Sequence, residues 1–169
     1  MITPAYCAMM TRYNAWQHRQ LTVALDPVPE AEVVADRGGF FGSILGTLNH
    51  VLWADRIWMS RFDDSFDAPE GGIPESPFIC ADYAAWKEAR AEMDRRMAAW
   101  ASTITQEELS GDVAWYSGAA GRDMVKPRAF CITHMFNHAT HHRGQVHTMM
   151  TSAGLTGNTS DLFFLPEAP

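Results

Sequence analysis

Asn137-His138-Ala139-Thr140-His141-His142-Arg143-Gly144-Gln145 sets three histidines inside a segment whose flanks, from about Pro127 to Ala153, read as one long helix. Pro127 suits a helix start, and Gly154 is a natural terminator. On such a helix His138 and His142, four residues apart, lie one turn above the other and can share one ion. Neutral imidazole is the commonest metal side-chain ligand, so this pair offers half of a coordination sphere with no loop rearrangement. At about 100° per residue, Cys131, His134, His138, His141, His142, Gln145 and Met149 fall on one face, while Arg143 and His147 fall on the opposite side.

Two ligands do not make a stable site, so another element has to contribute. The candidate is His50, within Leu45 to Met59, a stretch apolar around so much of its circumference that it reads as a central, buried helix. A buried histidine needs a partner, and an ion shared with a facing helix supplies one. A lone histidine on an apolar helix is otherwise a packed residue with one hydrogen bond, and both readings of His50 stand on spacing alone. His18 lies in the polar run Asn14 to Gln20 and reads as a surface residue. His134 and His141 read as groups facing a substrate, and Asn49 or Gln145 as acceptors for the second ring N–H of a ligating histidine.

Asp55 shares a face with Ile44, Leu48, Val51 and Phe62, an unusual place for a carboxylate. Buried carboxylates are paired, which predicts an ion pair with Arg143 or Arg12; the alternative is escape to solvent near a helix end. Trp16, Trp53, Trp58 and Tyr13 read as core, and Cys131 as an inert buried thiol.

Outward from these motifs, Thr3-Pro4 caps a first helix that ends near Leu25, before Asp26-Pro27-Val28-Pro29. Glu30 to Gly39 reads as a connection, and Ser43 caps a second helix reaching about Phe62. Asp63 to Pro77, with Gly71-Gly72 and three prolines, reads as a long loop. A third helix is expected from about Asp82 to Thr103 on its Ala, Glu, Arg and Met content. Leu109 to Lys126, with a turn at Gly118 to Gly121, reads as a short β-hairpin or an irregular lid. Four long helices without repeats argue for one all-α four-helix bundle spanning residues 1–169.

Composition agrees with a compact domain: 169 residues, 47% of them apolar, can bury a core without staples. A net charge of −7 with no basic patch argues against nucleic acid as a partner. The three cysteines lack a CxxC pair, which points away from disulfides and thiolate zinc and toward a reducing, cytoplasmic setting. No run approaches the roughly 18 apolar residues of a spanning helix, so no membrane partner is expected.

Arg12-Tyr13-Asn14-Ala15-Trp16, Ser43 through Arg61 with Leu48-Asn49-His50 and Asp55-Arg56-Ile57-Trp58, and Phe136 through Gln145 resemble the DinB superfamily, in the right order along nearly the whole chain. The resemblance implies a divalent ion, zinc or nickel, held by His50, His138 and His142 with positions open to water, in an up-down-down-up bundle that commonly forms a homodimer. Every one of those ligand positions is matched.

Three histidines plus water is the arrangement of a catalytic metal. Some relatives resemble thiol-dependent transferases, and the leading expectation is S-transfer from a low-molecular-weight thiol to an electrophilic small molecule, in stress or detoxification, with His134 or His141 relaying protons. Metal-dependent hydrolysis is a second reading, although the histidine face lacks a Glu or Asp base. A third is a non-catalytic stress-associated binding protein whose ion ties two helices together, which a closed four-ligand shell would favour.

Overall fold

A computed structural model describes residues 2–167. Its frame is four long helices: α1 (Pro4–Leu25), α3 (Ile44–Phe62), α4 (Tyr83–Thr103) and α5 (Arg128–Ser152). A short α2 (Glu30–Val34) lies within Glu30 to Gly39, which reads in the sequence only as a connection, and buries Val33. The helix starts follow their capping chemistry. Thr3, Ser43 and Asp82 accept backbone N–H bonds from Tyr6, Gly46 and Ala85, satisfying donors that the first turn leaves free. The end of α5 is set by Gly154 at φ 74°: its N–H bonds to the Thr151 carbonyl and that of Leu155 to Met150, the paired bonds of a Schellman turn.

α3 is the central helix. It packs against α5 on one side and touches α4 on another, while α1 packs mainly on α4. Leu48, Leu52 and Met59 of α3, Trp86 and Met97 of α4, and Ile132, Met135, Phe136 and Met150 of α5 are essentially fully buried. Each large apolar side chain removed from water contributes about 1.5–3 kcal/mol before chain entropy is subtracted. Leu109 to Lys126 resolves as a hairpin: β1 (Asp112–Ser117) pairs antiparallel with β2 (Arg122–Pro127), Trp115 opposite Met124. Trp115 meets Trp58 edge-on and, with it, brackets the Arg61 guanidinium, which moors the hairpin to α3 beside α5.

Two expectations are corrected in the core. Asp55 is buried, but its partner is Arg90 of α4, at 2.6 Å, and neither Arg143 nor Arg12. Arg12 reaches the Pro166 carbonyl instead. Arg90 escaped notice because α4 is rich in charged residues, so one arginine turned toward α3 looks like its solvent-facing neighbours. His18 is buried rather than on the surface, its Nδ1 3.1 Å from Asp94, which also accepts from Arg90 at 2.8 Å. A polar stretch of α1 thus faces inward, because α4 supplies charges to meet it.

Candidate metal centre

The α3/α5 seam brings His50, His138 and His142 together. His138 Nε2 lies 3.2 Å from His50 Nε2 and 3.1 Å from His142 Nε2. His138 and His142 meet because one helical turn separates them; His50 joins because α3 and α5 pack closely at this level.

The second ring nitrogens settle which atoms carry protons. Ser76 Oγ donates to the Ile73 carbonyl at 2.7 Å, so toward His50 Nδ1, 2.8 Å away, it accepts. His142 Nδ1 is 2.7 Å from Gln145 Oε1, an acceptor only. Both histidines are therefore protonated on Nδ1 and turn a bare Nε2 lone pair toward His138 Nε2. That nitrogen can donate to at most one of them, which leaves at least one pair of lone pairs facing each other near 3 Å. A shared cation removes this repulsion. Nitrogens bound to one tetrahedral zinc at about 2.0–2.1 Å are separated by about 3.3 Å, and the observed spacings fit. Burial and the neighbouring imidazoles hold His50 down at about 4 and His138 at about 3, so both are neutral and available as ligands at pH 7.

Gln145 takes the outer position expected of it; Asn49 does not. The Asn49 amide donates to the carbonyls of Pro77, at 2.8 Å, and Cys80, at 3.1 Å. It pins the loop that carries Ser76, and Ser76 makes the contact to His50. The segment that read as loop thus ends in a 3₁₀ turn, Ser76–Phe78, with Ser76 fully buried. Nothing in its Gly- and Pro-rich composition marks that serine, since the contact spans 26 residues and exists only once the loop folds onto α3.

Phe41 was likewise illegible. Its ring stacks on His50 at 3.8 Å between centroids and leans on His142 at 5.5 Å. Gly46 permits the approach: a Cβ there would lie 2.3 Å from the Phe41 carbonyl oxygen. Trp53 stacks more distantly on the His50 ring, so two aromatic side chains flank the ligand.

His134 and His141 are exposed and lie beside the cluster without entering it. His134 is edge-on to Trp58 and tilted against His138; His141 meets His142 edge-on and its Nε2 is 3.2 Å from the Gln145 amide nitrogen. Cys131 is buried with its thiol pushed up by that burial, so it is not a reactive thiolate. Among the described residues, three nitrogens and no fourth His, Cys, Asp or Glu make up the cluster.

A helical bundle that converges three imidazoles from two facing helices defines a class: bundle proteins able to hold one metal ion between helices. The sequence profile of the DinB family matches residues 1–168, and the chain belongs to that family. Among curated proteins, none matches the chain. No helix of the described residues is long and apolar enough to cross a membrane.

Proposed function

We propose that the protein is a metal-dependent thiol transferase, joining a low-molecular-weight thiol to an electrophilic small molecule. The observation that carries the reading is the convergence of the His50, His138 and His142 ring nitrogens, with only neutral groups, Ser76 and Gln145, behind two of them. A divalent ion bound there, zinc or nickel, supplies a positive charge that holds a thiol sulfur in its anionic, nucleophilic form. Three neutral imidazoles leave that charge uncompensated, which favours an anionic sulfur as the next partner.

The chain's own residues do the rest. Ser76 and Gln145 fix the tautomers of His50 and His142, keeping Nε2 free. His134 and His141, exposed at the edge of the cluster, take up the thiol proton and pass it to water. Phe41 forms one wall of the cluster and also lines a cavity of about 440 Å³ with Phe40, Ile73, Pro77 and Phe78, an apolar surface suited to the electrophile's carbon skeleton. Hydrolysis is less well served, because among the described residues the cluster includes no Asp or Glu to act as base.

The test is conjugation of a cysteine-derived thiol to chlorodinitrobenzene, the sulfur–carbon bond forming as chloride leaves, by protein loaded with zinc or nickel. Turnover is expected to need the ion and to vanish in His138→Ala. Equal rates for wild type and His138→Ala would overturn the reading.

A further inference from the structure

Arg143 belongs to the histidine segment yet points away from it, and one end of its guanidinium has no partner. The side chain is only 5% exposed. Nη2 donates to Thr140 Oγ1 at 3.1 Å, the group lies 5.4 Å from the Tyr13 ring centroid, and Nη1 is buried without a hydrogen bond. A guanidinium keeps its charge and offers five donors, so an unanswered buried end is costly. Burial works against its charge, the Tyr13 phenol beside it offsets part of that, and Asp55 adds to the offset only from a distance, its short contact being to Arg90.

Beside Arg143 lies a cavity of about 240 Å³ between α1, α5 and the chain that follows α5, with Tyr13, Gln17, Thr140, Gly144 and Asn158 in its walls. Most of the other polar groups there are already engaged. The Tyr13 hydroxyl donates to the Ser160 carbonyl at 2.5 Å, and Gln17 donates to the Thr159 carbonyl at 2.8 Å. Gln17 also accepts from Asn158 at 2.8 Å, and the Thr140 hydroxyl donates to the Phe136 carbonyl at 3.0 Å. These bonds draw the segment Asn158 to Ser160 across α1 as one wall, and Arg143, which lines the cavity and keeps one buried donor unmatched behind its surface, is the cation there.

We propose that this cavity is a binding site for a small oxyanion, a carboxylate or phosphate group, held by Arg143. The planar fork of a guanidinium matches two oxygens of such a group, and a desolvated charge-assisted pair is about twice as strong as a neutral hydrogen bond. Thr140, Arg143, Gly144 and His147 share the face of α5 opposite His138 and His142, so the site stands apart from the histidine cluster. Occupancy would brace the tail against α1 and α5, since the tail forms one wall.

The experiment is titration of the full chain with acetate and with inorganic phosphate, each against chloride at matched ionic strength, read by calorimetry and by the thermal unfolding midpoint. Saturable binding of one ion per chain by either probe is expected, with a rise in midpoint that chloride does not give; whichever probe binds more tightly identifies the group. Arg143→Gln should weaken it at least tenfold. Because that variant can fail to fold, Gly144→Leu is the second: a Cβ at Gly144 meets nothing within 4 Å, and leucine is a good helix former that would grow into the cavity mouth. Gly144→Leu should fold, keep its metal content and lose the anion. No saturable binding by wild type, or undiminished binding by Gly144→Leu, would overturn the proposal.

Discussion

His50 Nε2 of α3 and His138 Nε2 of α5 stand 3.2 Å apart, 88 residues distant in the chain and without the proton count to satisfy all three imidazoles of the cluster by hydrogen bonds. The seam between α3 and α5 therefore closes on a point that favours a cation.

Replacing His138 by alanine removes the nitrogen that the other two share. About one divalent ion per chain is expected in the wild type by elemental analysis, and none in His138→Ala or His50→Ala. His18→Ala, whose imidazole binds Asp94 within the core, should keep the ion while unfolding more easily. Retention of the ion by His138→Ala would refute the site.

Ser76→Ala deletes the acceptor that holds His50 in its Nδ1-protonated form. Loss of such a supporting contact typically lowers metal affinity about 10- to 100-fold. Competition with a chelating dye should record this drop with the fold intact by circular dichroism. Asn49→Ala should lower affinity too and cost about 1–3 kcal/mol of stability, because it strands two loop carbonyls near Ser76. Unchanged affinity in both would show that the loop does not orient His50.

Asp55 and Arg90 form a pair buried on both sides, and Arg90 is also held by Asp94, so removing Asp55 takes one acceptor from the guanidinium and leaves the other. Asp55→Ala is expected to cost about 1–3 kcal/mol in denaturant unfolding, the penalty of an unmet donor on a guanidinium that keeps Asp94. The double change Asp55→Leu with Arg90→Met should cost more than the single one, because Asp94 then loses its guanidinium partner. A single-variant cost near zero would mean that the pair is solvated.

Acid should find Asp94. Burial pushes its carboxyl up, but the Arg90 guanidinium beside it more than reverses this and holds it at about 2, below its ordinary 3.8. A carboxylate depressed in the folded state contributes stability above its unfolded value and loses it as pH falls toward the folded one. Unfolding free energy should therefore decline from about pH 4 to pH 2 by on the order of 2 kcal/mol from this group, and Asp94→Asn should flatten that part of the curve. An identical acid limb in the variant would assign the decline to other carboxylates.

Local chemistry was legible in the residues themselves. Thr3-Pro4, Ser43 and Gly154 mark helix ends because capping acts within a few residues, and all three operate as expected. His138 and His142 could be paired from their spacing because one helical turn is a local fact. Periodicity also set Asp55 on the apolar face of its helix, where burial would call for a cation, since the face of a helix follows from residue number. It could not say that the cation is Arg90, that His18 turns inward to Asp94, or that Ser76 rather than Asn49 meets His50. Those partners sit on other helices or on a loop laid back over α3, and partner choice between distant elements is decided by how their side chains interlock. Sequence alone determined the four long helices, the inward faces of α3 and α5 and the ligand types. Only the tertiary packing decided which groups meet, which lone pairs are left bare, and where a guanidinium was left with a cavity beside it.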